Sequence, residues 1–572
     1  MSRAPHPDHG AESTSSERTP LLSEAAVTPE RSSKTPLDGK PSKPPPQADG
    51  HVAANQSIGL IRGILCTISL GFLVFLQATN ISMLTTTSSK VAGDLDAFEK
   101  ATWFTSAYLI AMSALSPLNG KLASLFGPRN CIFASTLILA AGCLVSSAAE
   151  GFEVFIVGRC ITGVGASGIF TISIIIVLEL TGSKRRGLAI GLLNSGYTIG
   201  VAVGAVAAGA LLRPVGWRAL FWMQAPIALT AGSVLFLAIP HDFTAGKKGA
   251  SDQSTLQRLA RIDYLGAITL TAAISLVLYA LSSPRKVPLF PIGLSILVLV
   301  TFILNEVYLA YDPIIPIALL RSRGLLLTCL ATVGYMMARW CVLFYTPTFA
   351  LAVRQWTPAT AGAILIPTNA GFAVGGLLVG GLHIKRPGSF WLPTTIVYAL
   401  FPLSLVSLAF LVTEHSSAWL FVIVVFFCGA VTGAAVNYSL AHVLHLTPSS
   451  THYVASSLVA TFRGFAGSFG SAIGGGLFVR TLYTSLEDGF EERGLRHRED
   501  LVRRLLGSPD LVENLGGVDR EVAIHGYEQA LKTLFIAGAI LAGVMIIAQA
   551  GTGWTAPEEE LDPTEEDDRT NE

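Results

Sequence analysis

Inside its apolar runs the chain carries few side chains that can hold a charge or pass a proton. Arg159, Arg339 and Arg463 are cations, Glu179 and Glu306 are acids, and Gln77, Asn80, Asn369 and Asn437 are amides. An ionisable group held in hydrocarbon is costly and is a functional hypothesis in its own right. Gln77 and Asn80 stand about one helical turn apart and share a face. With Arg339, Tyr345, Asn369 and Asn437 they are expected to line a central cavity and hydrogen-bond a polar solute, or else to glue helices together. Arg339, beside Trp340, suits either an anionic group or a stacked, satisfied position. Arg463 is expected near the inner surface with its head snorkelling to water. Glu306 is expected outside the cavity, neutral or paired near the interface. His442 and His445 are expected to titrate near neutral pH. No catalytic constellation or nucleotide loop is visible, so the sequence does not read as an enzyme. The seven cysteines all lie in apolar runs without ligand spacing, so no metal or cofactor is expected.

The elements that position these residues follow from composition. Of 572 residues 51% are hydrophobic and 14% charged, against roughly 25% charged in a soluble domain; mean hydropathy is +0.55. The 39 basic and 39 acidic residues balance, and no basic stripe points to nucleic acid. Residues 1–56 are rich in Pro, Ser and charge and read as a disordered cytoplasmic tail; 552–572 read as an acidic one. Between them apolar stretches recur about fourteen times, each about 20 residues long. In lipid such runs must be helices, because every backbone amide needs an internal partner. Basic residues crowd one set of loops, including Lys121, Arg129, Lys184 to Arg186, Lys247 and Lys248, and place both termini in the cytoplasm.

The expected fold is an all-α polytopic membrane protein. An N-terminal six-helix bundle spans 57–240, a cytoplasmic loop with two extra helices 241–322, and a C-terminal six-helix bundle 323–551 with a long outer loop at 480–531. An internal repeat supports two halves. "GKLASLFGPRN" (120–130) follows the second span and "GGLHIKRPGSF" (380–390) the tenth; glycines crowd the fifth and thirteenth spans. Each pair is eight spans apart, as if two bundles were separated by two inserted helices, and repeats about a midplane site are common in secondary transporters.

These motifs resemble the major facilitator superfamily, and within it the fourteen-span drug:proton antiporters of fungi. "GKLASLFGPRN" is similar to the loop between the second and third spans. "GRCITGVGASG" (158–168) is similar to R-x-x-x-G-x-G, "GYTIGVAVGAVAAGAL" to the antiporter glycine motif, and "GWRALFWMQAPIA" to W-R-x-x-F-x-x-x-x-P-I. "RIDYLGA" and "DPIIPIALLRSR" bracket the extra spans as in that family. The resemblance covers roughly residues 60–550. It implies the major facilitator fold, with Arg159 as a proton-linked arginine, Glu179, Ser124 and Arg129 at the gate, and Gly163, Gly165, Gly196, Gly200 and Gly204 as helix-packing glycines. Three positions depart from the pattern. Ser124 replaces the loop acid, which softens the gate while leaving a cap. Ala205 replaces a proline and straightens the fifth span. Gln77 replaces an acid and cannot carry a proton.

The resemblance implies a proton-coupled secondary transporter of small organic solutes working as a monomer. "ERTPLL", with Glu17, Leu21 and Leu22, resembles an acidic dileucine signal through which a sorting adaptor directs proteins to the vacuole. Relatives with such tails include vacuolar basic amino-acid transporters, although the central spans offer almost no carboxylate for a cationic cargo. The alternatives are a drug or toxic-metabolite efflux antiporter at the plasma membrane, suited by the aromatic residues Phe344, Tyr345 and Phe349, and a non-transporting sensor.

Overall fold

The computed structural model describes residues 60–180, 186–240, 263–283, 286–310, 320–384, 389–448, 452–495 and 497–554. The Glu17, Leu21 and Leu22 signal lies outside them, as do the side chains of Ser124 and Glu179.

Helix α1 (Leu60–Ser82) runs on into α2 (Leu84–Asp94). After a 3-10 turn come α3 (Trp103–Phe126) and α4 (Pro128–Ser147). The turn between them is sharp because Gly127 sits at φ +83, which a Cβ would resist, and because Pro128 starts α4 with φ already set. Then follow α5 (Phe152–Leu180), α6 (Arg186–Trp222) and α7 (Gln224–Ala238). Helix α6 passes Ala205 without a break and bends only at Gly216, φ +77.

The inserted pair is α8 (Tyr264–Leu281) and α9 (Leu289–Leu304), the latter ending in a π-helical turn at Asn305–Leu309. Asp263 caps α8 by accepting from the Gly266 N–H at 2.8 Å. Its second oxygen accepts from Asn305 at 2.7 Å, which pins the end of α9 to the start of α8.

The second half comprises α10 (Arg323–Ala352), α11 (Pro358–Ala363), α12 (Leu365–Leu378), α13 (Trp391–Leu411) and α14 (Ala418–Leu446). It continues with α15 (His452–Phe469), a π-helical turn at Gly470–Gly474, α16 (Gly475–Glu492), α17 (Glu499–Gly507) and α18 (Gly517–Ala550). The expected outer loop is therefore largely helical, since α16 and α18 run on beyond their apolar parts.

No strand occurs among the described residues. Eleven of their helical segments are long and apolar enough to cross a bilayer. The other three expected spans, at 103–123, 217–239 and 454–479, are helical too, in α3, α6–α7 and α15–α16. In the sixth span the chain is helical from Trp217 through Met223, at φ -60 and ψ -26, into α7, so Gly216 is what divides the fifth span from the sixth.

In the first half α5 packs on α3 and α4, and α1 on α6 and α7; in the second α12 packs on α14, and α18 on α10, α13 and α16. Lipid tails are as apolar as leucine, so close backbone approach replaces the hydrophobic drive. A Cβ at Gly163 would lie 2.4 Å from the Tyr108 carbonyl oxygen, and one at Gly165 2.4 Å from the Leu139 nitrogen. Gly200 and Gly204 likewise admit α1, where added Cβ atoms would meet Ala78 at 2.8 Å and Ser82 Oγ at 2.7 Å. Gly196 corrects its expected role: a Cβ there would meet nothing within 4 Å, because α6 faces open space on that side at this position.

Candidate functional site

The polar centre of the first half follows from the Gly163 contact. One turn earlier on each helix, Arg159 meets Phe104, and its Nε donates to the Phe104 carbonyl at 2.8 Å. The other two guanidinium nitrogens donate to Asn80, to Oδ1 at 3.0 Å and to its backbone carbonyl at 3.1 Å. The guanidinium lies 4.6 Å from the Tyr108 ring centre and is fully buried. Asn80 donates to Gln224 Oε1, and Gln224 donates to the Leu220 carbonyl at 2.9 Å. Tyr108 donates to the Gln77 carbonyl at 3.1 Å. This buried ladder ties α1, α3, α5 and α7 together around one cation, and no carboxylate of the described residues pairs with it.

Gln77 and Asn80, expected on the cavity wall, are both 0% exposed and sit inside the first bundle. That is a correction. Helix α1 is apolar nearly all round, so its sequence does not show which face meets water. Tyr345 is corrected in the same way: it is buried against Phe478 at 4.5 Å in the core of the second half. Half-buried Asn437 donates to the Gly433 carbonyl of its own helix at 3.0 Å, and its amide nitrogen would lie 3.1 Å from a Cβ at Gly376 of α12. Arg129 is buried, with Nε 2.7 Å from the Phe236 carbonyl and its guanidinium 4.1 Å from the Phe236 ring. It therefore fastens the start of α4 to the end of α7 within one half.

The second polar centre is Arg339. Its terminal nitrogens donate to Thr368 Oγ1 at 3.4 Å and Asn369 Oδ1 at 3.3 Å, and it stacks 4.7 Å from the Phe372 ring. Asn369 is held by donating to the Leu365 carbonyl at 2.8 Å. Arg463 is half-buried, and among the described residues its guanidinium has no hydrogen-bond or ion-pair partner. It does not snorkel clear. Tyr197 of α6, in the opposite half, lies within electrostatic reach of both Arg339 and Arg463.

The halves meet along two seams, α6 with α11 and α12, and α3 with α15. A Cβ at Gly209 would lie 2.6 Å from the Pro358 carbonyl carbon, and one at Gly362 2.8 Å from the Ala205 carbonyl oxygen. On the other seam Ser113 donates to the Gly464 carbonyl at 3.1 Å, and Ser106 reaches Ser471 at 3.3 Å. Beyond them Arg503 of α17 pairs with Asp96 at 2.9 Å. With the basic loops taken as cytoplasmic, these cross-half contacts among the described residues lie from the midplane outward. Sequence reasoning missed Phe104, Tyr108, Gln224 and Tyr197. Gln224, two residues after Trp222 in an apolar run, was the one visible signal.

Two bundles joined along such seams around buried polar centres define a helical membrane transporter. The chain belongs to the Major Facilitator Superfamily, whose family model matches residues 70–471. It is similar to the efflux pump apf11 of Gibberella fujikuroi, 24% identical over 89% of this chain and 90% of that one. It is also similar to vacuolar basic amino acid transporter 1 of Saccharomyces cerevisiae, 30% identical over 54% of each. Among solved structures it shares the fold of a bacterial homologue of the human lysosomal transporter Spinster, with TM-score 0.59 and 13% identity over 87% of this chain and 98% of that one.

Proposed function

We propose that this transporter is proton-coupled, works by alternating access as a monomer, and carries a small organic solute across the vacuolar membrane. The two tight seams carry this reading. Halves that touch through glycine-lined and hydroxyl-lined contacts can rock about them, whereas a large apolar interface would lock them together. Arg159, a fully buried cation with no acid paired to it among the described residues, is the group through which proton binding nearby would be felt. Support for the vacuole is the "ERTPLL" tail, read by an adaptor, and the yeast relative named for that membrane. The test is uptake of labelled lysine, arginine and histidine, alongside uncharged and anionic solutes, into isolated vacuoles with and without a proton ionophore. Uptake of none of them in an ionophore-sensitive way rules the reading out.

A second reading, efflux at the plasma membrane, has its own support. The residues described where the halves meet, Tyr197, Arg339 and Arg463, are aromatic and cationic rather than acidic, which does not suit lysine, and one relative is named as an efflux pump. Deletion that sensitises cells to several toxic compounds, with the protein at the cell surface, favours it.

A further inference from the structure

We propose that a cleft opens between the halves beside Tyr197 and takes an amphipathic organic anion, with a carboxylate held between Arg339 and Arg463 and an apolar, ring-bearing body against aromatic walls. This deepens the transport reading and rests on it.

The observation is that two cations of the second half flank one aromatic contact with the first: Trp340, next in the chain to buried Arg339, abuts Gly467, one turn beyond Arg463, and Trp340 and Tyr197 of the opposite half pack against one apolar cluster. Arg339 on α10 and Arg463 on α15 are both within electrostatic reach of Tyr197 on α6. Arg339 commits two of its five N–H donors to Thr368 and Asn369, through long bonds of 3.4 and 3.3 Å. Arg463 commits none among the described residues. The six ion pairs among the described residues all involve residues at the outer ends of helices or in outer loops, so no carboxylate among them neutralises this centre. Two guanidinium groups near Tyr197, with no acid paired to either among the described residues, would repel a cationic cargo and leave a charge deficit that an oxyanion fills. Arginine suits a carboxylate in particular, since its planar fork matches the two oxygens.

The walls supply the rest of the ligand. Trp340 stacks on Phe344 at 5.4 Å on one side; Phe170 meets Tyr197 at 5.8 Å on the other. All four rings are half-buried. Trp340 and Tyr197 pack against one small apolar cluster drawn from both halves. Trp340 also abuts Gly467, where a Cβ would lie 3.2 Å from its ring. Gly467 is one turn beyond Arg463, so the ring and the guanidinium share a face of α15.

The test uses the full-length protein in nanodiscs of phosphatidylcholine, with 2-naphthoate as probe and 2-naphthalenemethanol, 2-naphthylmethylamine and L-lysine as comparisons. The expected result is that naphthoate quenches tryptophan fluorescence and raises the melting temperature, at least tenfold more tightly than the alcohol, while both amines have no effect. R463Q weakens naphthoate at least tenfold and R463K less. R463Q melts as the parent does, because Arg463 makes no hydrogen bond or ion pair among the described residues; R339Q serves as the second variant. Equal binding of naphthoate and 2-naphthylmethylamine, or an R463Q protein that is folded and binds naphthoate normally, overturns the proposal. In proteoliposomes under a pH gradient, lysine uptake without naphthoate binding removes the anion assignment and leaves transport standing. A folded protein that binds and moves none of the four removes both.

Discussion

Arg159 and Asn80 form a two-point clamp, with one guanidinium reaching both the side-chain oxygen, at 3.0 Å, and the backbone carbonyl, at 3.1 Å, of a single residue on a different helix. The clamp joins α5 to α1, and the third nitrogen joins α5 to α3 through Phe104. The same atoms that suit Arg159 for sensing a proton also make it a structural post.

Arg159→Ala is therefore expected to cost both fold stability and activity. It removes the three bonds to the Phe104 carbonyl and the two Asn80 oxygens, a loss of about 2 kcal/mol or more at roughly 0.6–2 kcal/mol per intramembrane bond. A double-mutant cycle with Asn80→Ala, read by thermal melting in nanodiscs, should show a coupling energy of about 1 kcal/mol. Strict additivity would mean that the clamp contributes nothing. Arg159→Lys keeps the charge and loses the fork; uptake surviving in that variant would show that charge rather than geometry matters.

Gly209→Leu should open the outer seam. The Cβ alone would meet the Pro358 backbone at 2.6 Å, and α6 and α11 cannot both shift without parting the halves. A cysteine placed at Ala359, beside the contact, should become more reactive toward an impermeant maleimide from the outer side, and uptake should fall. Unchanged labelling would show that the halves separate elsewhere.

Asp94 anchors the outer end of α2. Its carboxylate accepts from Trp217 at 2.8 Å and pairs with Lys90 at 3.1 Å and Arg218 at 3.5 Å. Burial alone would raise its pKa, but the hydrogen bonds from Trp217 and Lys90 and the charges of Lys90 and Arg218 outweigh it and hold the carboxyl below its ordinary value. A carboxyl with a lowered folded pKa stabilises the fold above its unfolded value, about 3.9, and loses that contribution as pH falls through the lower folded value. Asp94→Asn should thus cost about 1 kcal/mol alike at neutral and mildly acidic pH, with the gap to the parent closing only in strong acid. Melting curves across pH check this; a gap already closed in mild acid would assign the stability to another group.

Leu21→Ala combined with Leu22→Ala should redirect the protein from the vacuole to the cell surface. Fluorescence microscopy of a tagged chain decides it, and vacuolar signal retained by the double variant would remove the sorting role of the tail.

The sequence by itself determined the solvent and the plan. Apolar runs about 20 residues long allow only helices in lipid, the basic loops orient them, and Gly127-Pro128 sets a turn wherever it occurs. It also marked Arg159 as exceptional, since charge in an apolar run is legible without contacts. Which face of each helix meets the cleft was decided only by the tertiary structure. Gln77 and Tyr345 lie on helices apolar nearly all round, so periodicity gave no direction, and packing turned them inward. The approach of Arg339, Arg463 and Tyr197 joins residues far apart in the chain and from both halves. Such a meeting depends on how the bundles dock, which no local pattern of side chains encodes.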